Sequence, residues 1–328
     1  MRKPVVLVSH QPSEDIRNAI VESFGGEVEV FFYPELDDLE REQVLRDARG
    51  VMTYHPVRDL GVEAMAMLDN CKLIQCMTAG IDYLPLDLVP HHIPVAYNGG
   101  AYAEPMAEHV AAMALAASKR LTVEHQNMKV GEFNQFLPTK KISGATCGII
   151  GFGEAGRQVA SLMRRLGMRI EAINRSGQTV EDVDYIGTMD DLDRVIAAAD
   201  VLVITLALTR KTDRLIRAAH LAQMKPDAVL INVARGEIVD EDELYRHLRD
   251  YPEFTACLEA WWIEPVRHGK FETKHPFLDL PNVIASPHNS AISGDALTVA
   301  ARRAAANVLR MLRGEETKFI ADDDIRMP

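Results

Sequence analysis

The sequence predicts an α/β protein made of two doubly wound parallel sheets, and three observations carry that expectation. Short apolar runs alternate with stretches of helical periodicity along most of the 328 residues, which is the pattern of repeated strand–helix–strand units. A glycine-rich turn, Gly151-Phe152-Gly153-Glu154-Ala155-Gly156, sits mid-chain between a strand-like and a helix-like stretch. The last helical stretch, Ala296–Leu312, comes after the second series of strands and has no strand partner left in it.

The first series has strand candidates at Val5–Ser9, Val28–Phe32, Gly50–Thr53, Leu73–Met77 and Val95–Tyr97. Between them, Ile16, Ala19, Ile20 and Phe24 recur at helical spacing, and Leu60–Leu68 reads as a second helix. The alanine-rich stretch Ala101–Arg120 joins the two series as a mostly buried helix. The second series runs through Cys147–Ile150, Arg169–Asn174, Val201–Leu206, Val229–Val233, Thr255–Leu258 and Val283–Ser286. Alternation of this kind implies right-handed crossovers between parallel strands. The final helix is expected to pack back on the first lobe. That gives a discontinuous domain of residues 1–99 and 291–328, a second domain of residues 100–290, and an interdomain cleft as the expected ligand site.

Composition narrows the classes. The chain is 47% hydrophobic and 26% charged, ordinary for a soluble globular protein. No apolar run approaches the roughly 20 residues of a membrane span. The opening run Val5–Val8 is too short for a signal peptide and lacks its cleavage pattern. Cys71, Cys76, Cys147 and Cys257 show no metal or redox spacing, so a reducing cytoplasm is expected and no metal. A net charge of −12 argues against nucleic acid as a partner. It also requires a locally positive pocket for any anionic substrate.

The glycine turn is the first functional signal. Gly151 permits the tight turn, Gly153 lets a pyrophosphate approach the backbone, and Gly156 lets helix and strand pack closely. The N-terminus of the following helix offers free amides and a positive dipole end to the phosphates. Together these point to a dinucleotide. An acidic residue usually ends the next strand to hold the ribose 2′-hydroxyl of NAD. Here that strand ends in Asn174-Arg175-Ser176. Arg175, with Asn174 and Ser176 as added donors, suits a 2′-phosphate, so NADP is favoured over NAD. The alternative is a polar loop whose arginine faces solvent. Glu171 lies inside the strand and is a poor ribose ligand.

Three strand-end segments carry further chemistry: Asn232-Val233-Ala234-Arg235-Gly236, Ile263-Glu264-Pro265 and Ser286-Pro287-His288-Asn289-Ser290. With the glycine turn, with Thr78-Ala79-Gly80-Ile81-Asp82 and with Met106-Ala107-Glu108-His109, they resemble the D-isomer-specific 2-hydroxyacid dehydrogenases over nearly the whole chain. The relevant branches are glyoxylate/hydroxypyruvate reductase-like and phosphoglycerate dehydrogenase-like. The resemblance implies a Rossmann-type cofactor domain and a flavodoxin-like substrate domain. It implies hydride exchange between a nicotinamide cofactor and the 2-position of a small anionic 2-oxo or 2-hydroxy acid. His288 then suits the proton donor, because imidazole titrates near neutral pH. Glu264 holds the ring and favours its protonated form. Arg235 binds the substrate carboxylate with two parallel hydrogen bonds, and backbone amides at Ala79, Gly80 and Ile81 receive the same group. Leu206, Ala207, Val233, Ala234, Glu259 and His288 join the glycine turn in lining the cofactor. A homodimer through the Ala101–Arg120 helix and the segment after it is implied as well.

The chain departs from the family pattern at several places. Glu259 stands where aspartate is common, one methylene longer at the nicotinamide carboxamide. Ala207 stands where proline is usual, Gly131-Glu132-Phe133 replaces a Gly-x-Trp, and Asn289-Ser290 replace small apolar residues. None removes an acid, base or anion clamp. Trp261 and Trp262, the only tryptophans, suit either a cover over the site or packing at a boundary. His55 and Arg58 suit either the far end of a substrate or a solvated loop. His10, His91, His92, His268 and His275 read as surface or structural. Two other functions share this scaffold. A dinucleotide-sensing interaction protein can retain the Arg–Glu–His set, although the lack of long extra tails favours an enzyme. A formate dehydrogenase pairs its histidine with glutamine, whereas Glu264 is acidic.

Overall fold

The computed structural model describes residues 2–322, so residue 1 and residues 323–328 of the expected discontinuous domain lie outside the described residues. The chain forms two compact units. One runs through Tyr102 and resumes at Ile292; the other spans Ala103–Ala291.

The first unit is a parallel sheet of β1 (Val5–Val8), β2 (Glu29–Phe32), β3 (Ala48–Thr53), β4 (Ile74–Cys76) and β5 (Val95–Ala96). The strand order is β2-β1-β3-β4-β5. Strand β1 is buried along its length, as a parallel strand covered on both faces must be, and this is why it reads as an unbroken apolar run. Helix Glu14–Phe24 buries Ile16, Ala19, Ile20 and Phe24. The final helix, Ala296–Leu312, packs beside it, with Ala301, Ala304, Ala305 and Val308 in one cluster with Val6, Val8 and Met52. Its approach is close: a Cβ on Gly50 of β3 would lie 3.0 Å from Val308. The stretch Leu60–Leu68 is not one helix. Gly61, at φ 84°, breaks it into Pro56–Leu60 and Val62–Met65, a conformation only glycine adopts without strain. His55 caps the first piece, its Nδ1 accepting from the Arg58 amide at 3.1 Å.

The second unit holds β6 (Thr146–Ile150), β7 (Arg169–Ile173), β8 (Tyr185–Gly187), β9 (Val201–Ile204), β10 (Val229–Asn232), β11 (Thr255–Leu258) and β12 (Val283–Ala285). They pair in the order β12-β11-β10-β9-β6-β7-β8. The order reverses between β6 and β9, which puts a crevice beyond the carboxyl ends of these two strands. Strand β8 was not foreseen. Helix Ala103–Ser118 is two residues shorter at each end than its sequence suggests, and Arg120 beyond it turns to φ 53°. It packs Ala107, Val110, Ala111 and Ala114 against the sheet. The next helix, Leu121–Lys129, buries none of its residues. At the other side of the sheet, Asn232 pairs with Leu258 and Leu258 with Ala285. The segments that follow β10, β11 and β12 therefore leave one sheet edge side by side. Among the described residues, no helix is long and apolar enough to cross a membrane.

Candidate active site

The glycine turn follows β6 at the reversal of strand order. Gly151 has φ 103°, and a Cβ on it would lie 2.9 Å from the Leu206 amide. A Cβ on Gly156 would lie 2.4 Å from the Gly151 carbonyl. Both positions are closed to any side chain. Gly153 differs, because a Cβ there meets nothing within 4 Å. The space above it is open, as close approach of a pyrophosphate to the backbone needs. Gly153 is also the N-cap of helix Glu154–Arg165, and no side chain caps its amides, which leaves them for an anion. Glu154 is turned to an ion pair with Arg157. Phe152 is buried at 3% exposure and anchors the turn, while Thr205 ties β9 to it by donating to the Gly151 carbonyl at 2.6 Å. Leu206 and Ala207 thus flank the glycines. These residues fit a dinucleotide.

At the tip of β7, Asn174 uses its side chain within its own loop. Oδ1 accepts from the amides of Ser176 at 3.1 Å and Gly177 at 2.7 Å, and Nδ2 donates to the Gln178 carbonyl at 2.8 Å. Asn174 therefore shapes the turn that presents Arg175, which is exposed, and is not the free donor anticipated. Its own amide donates to Gly187 of β8 at 3.0 Å, so the unforeseen strand fixes this tip.

Arg235 follows β10. Asn232, fully buried, holds the turn with both ends of its amide, accepting from the Ala234 amide at 3.1 Å and donating to the Arg235 carbonyl at 2.8 Å. Val233 and Ala234 are buried beneath it. Gly236 lies so near the Trp261–Trp262 peptide that a Cβ would come within 2.3 Å of it. The Arg-Gly pair is thus dictated by a backbone crossing as well as by charge.

Glu264 and His288 meet directly. His288 Nδ1 lies 2.8 and 2.9 Å from the two Glu264 oxygens, and Glu264 Oε1 also accepts from the Trp261 amide at 2.7 Å. Burial favours the neutral form of the carboxyl. The hydrogen bond and charge of His288, the Trp261 amide and the Arg235 charge outweigh that, and the pKa of Glu264 lies below its ordinary value. Burial likewise favours neutral imidazole. The hydrogen bond to Glu264 and the charges of Glu259 and Glu264 overcome it, against opposition from Arg235, and the pKa of His288 is raised. The structure thus brings Arg235, Glu264 and His288 to one edge of one sheet. Ala79, Gly80 and Ile81 follow β4 in the other unit, where the Ile81 side chain is buried in the core.

Several bonds that support these turns were not anticipated. Trp261 is 3% exposed and its Nε1 donates to the Ser286 carbonyl at 2.9 Å. Trp262 donates to the Val239 carbonyl at 2.8 Å. Both are packed anchors rather than covers. His109 Nε2 lies 3.0 Å from Ser286 Oγ. Asn232 at a strand end before Arg-Gly was the one signal of this kind visible in the sequence.

Known proteins resemble this chain in sequence and fold. Residues 111–290 match the family described as D-isomer specific 2-hydroxyacid dehydrogenase, NAD binding domain. A glyoxylate reductase of Thermofilum pendens is 26% identical over 87% of this chain and 85% of its own length. A hydroxypyruvate reductase of Thermotoga maritima is 30% identical over 69% of this chain and 73% of its own. A solved chain from Pyrobaculum aerophilum, provisionally named a formate dehydrogenase, superposes with a TM-score of 0.79 at 25% identity over 100% of both chains. The glycine turn, the strand-end triad and these matches agree: the chain belongs to the D-isomer specific 2-hydroxyacid dehydrogenases.

Proposed function

We propose that this protein reduces small 2-oxo acids of the glyoxylate and hydroxypyruvate type to the 2-hydroxy acids, using NADPH in preference to NADH. The observation that carries the reading is the Glu264–His288 pair beside Arg235. A bound nicotinamide cofactor supplies hydride to the 2-carbon. Glu264 occupies Nδ1 of His288, which leaves the Nε2 proton for the carbonyl oxygen, and the raised pKa of the ring keeps that proton available near neutral pH. Arg235 offers a planar fork to the substrate carboxylate, a geometry lysine does not reproduce. The amides of Ala79, Gly80 and Ile81 are assigned to the same carboxylate. The pyrophosphate is assigned to Gly151–Gly156, with Leu206, Ala207, Val233 and Ala234 lining the rest. Glu259 Oε2, buried and without a hydrogen-bond partner, is the acceptor assigned to the carboxamide. Names of the relatives support the substrate class.

Arg175 at the β7 tip supports NADPH. A charged hydrogen bond there contributes roughly 1.5–3 kcal/mol. A panel of 2-oxo acids assayed with both cofactors, with wild type and Arg175→Ala, tests the reading. Turnover with glyoxylate or hydroxypyruvate is expected, with NADPH preferred about 10- to 150-fold and the preference lost in the variant. Equal weakening of both cofactors would leave Arg175 as a general phosphate contact.

The protein is assigned to the cytoplasm, where its four buried free cysteines stay reduced, and is a homodimer in this reading. The segment after helix Ala103–Ser118 exposes Leu121, Met128, Val130, Phe133, Phe136 and Leu137, with Phe136 at 91%. Exposed apolar side chains in such a run mark an interaction surface. Sedimentation of wild type as a dimer, and of Phe136→Glu as a monomer, is the expected result.

A further inference from the structure

His288 has φ 51°. Residues with a Cβ adopt this left-handed region at a cost, and only where surroundings enforce it. The turn that holds it, Ser286–Ser290, is enforced largely by one neighbour. The His288 amide donates to the Glu259 carbonyl at 3.1 Å, and the Ser290 amide donates to Glu259 Oε1 at 2.8 Å. Glu259 therefore grips the backbone on both sides of the imidazole. It is fully buried, at 0% exposure. A buried carboxylate needs a compensating role, since taking a charge out of water is expensive. Trp261 and His109 hold only the start of the turn, at Ser286.

We propose that Glu259 is the positioning residue of the proton donor: main-chain and side-chain bonds from this single residue hold the His288 backbone in its left-handed conformation, from which the ring meets Glu264. The length of the side chain is essential. One methylene less withdraws the carboxylate by about 1.5 Å, which takes it beyond hydrogen-bond reach of the Ser290 amide. The assignment deepens the reading of His288 as proton donor and rests on it for its catalytic consequence. The clamp itself is testable without turnover.

Two variants separate reach from charge. Glu259→Asp keeps the charge and loses the reach; Glu259→Gln keeps the acceptor and loses the charge. The full-length protein without added cofactor is followed by hydrogen–deuterium exchange over residues 286–291 and by NMR titration of the His288 ring, whose charged neighbours are Glu259, Glu264 and Arg235. In Glu259→Asp, exchange at the Ser290 amide is expected to rise roughly ten- to hundred-fold, with peptides from β6 and β7 unchanged. Turnover should fall by a similar factor, with a smaller change in KM for the oxo acid. Glu259→Gln is expected to keep slow exchange while the His288 midpoint falls. Parent-like exchange in Glu259→Asp overturns the clamp, and so does a rise spread over the whole chain. An unchanged His288 midpoint in Glu259→Gln overturns the placement of that charge at the ring. If the parent reduces no 2-oxo acid, the functional reading fails while the exchange result still decides the clamp.

Discussion

Each of the two parallel sheets has a buried carboxylate at its carboxyl edge, and the two are satisfied in opposite ways. Asp59, in the five-stranded unit, has a side chain only 9% exposed. Its Oδ2 accepts from Ser9 Oγ, Thr53 Oγ1 and the amides of Tyr54 and His55, at 2.9–3.3 Å. Those four donors carry no charge; Arg58 Nε adds a charged contact 3.3 Å from Oδ1, and none of the five titrates near neutrality. Glu264, in the seven-stranded unit, is also 9% exposed at its side chain, yet it accepts from one amide and one imidazole. Both acids have lowered pKa values despite burial. The low pKa therefore does not distinguish them; the partner does. Donors whose charge is fixed near neutral pH make Asp59 a staple across the ends of β1 and β3. An ionisable partner makes Glu264 half of a proton-holding pair. Perturbed acids gather at functional sites, and the nature of the donor separates the functional case from the structural one.

The strongest way to break this comparison is to remove the ionisable partner. His288→Gln keeps a hydrogen-bonding side chain but carries no transferable proton. It is expected to lower turnover with a 2-oxo acid by roughly 10² to 10⁴ fold, with cofactor affinity near that of wild type. Turnover within a few-fold of wild type would remove His288 as the proton donor and reduce Glu264 to a second structural acid.

Asp59→Ala tests the other side. It leaves the Ser9, Thr53, Tyr54 and His55 donors without their acceptor in a buried place, and each orphaned group costs about 1–3 kcal/mol. The melting temperature should drop by several degrees, while the pH–rate profile keeps its shape. The stabilisation from Asp59 is also pH-dependent with a definite sign. Its folded pKa is depressed, so its contribution is complete above the unfolded carboxyl value near 3.9 and is lost as pH falls through the lower folded value. At neutral pH Asp59 acts as a constant. Unfolding of wild type and Asp59→Ala followed from neutral to acid pH should show the two converging only in the acid range.

The sequence exposed much of this because parallel strands buried on both faces are apolar runs, and because Gly151, Gly153 and Gly156 lie between a strand and a helix. The strand-end placement of Arg235, Glu264 and His288 was readable from the order of their motifs. What escaped depends on non-local pairing. Tyr185–Gly187 is a strand by virtue of lying beside β7, and its three residues form no apolar run. The helix over Leu60–Leu68 failed at Gly61, where the backbone takes a positive φ that periodicity does not register. The bond from Trp261 to the Ser286 carbonyl exists because the sheet order sets β11 and β12 side by side, and that from His109 because helix Ala103–Ser118 packs over the same sheet. Spacing along the chain does not contain that adjacency.

The subtlest test of the contrast is Glu264→Gln. The substitution keeps the size of the side chain and an oxygen for the Trp261 amide, and it removes the negative charge facing Nδ1. Burial lowers the pKa of His288; the hydrogen bond to Glu264 and the charges of Glu259 and Glu264 raise it further than burial lowers it. Removing the Glu264 contribution therefore moves the His288 pKa down. With His288 as the proposed proton donor, the protonated ring is the form required in the reductive direction, so the alkaline limb of the pH–rate profile should move to lower pH, with turnover best preserved on the acid side. The oxidative direction needs the neutral ring and should gain at the low-pH end. Loss of the salt-bridged partner also removes the stability that depends on a raised histidine pKa. That stability is present below the unfolded histidine value near 6.5 and lost as pH rises through the folded value. The melting temperatures of variant and wild type should therefore differ more at pH 5 than at pH 9. Profiles that superpose in both directions would show that Glu264 orients the ring without setting its charge. Glu264 would then be a fixed hydrogen-bonding staple like Asp59.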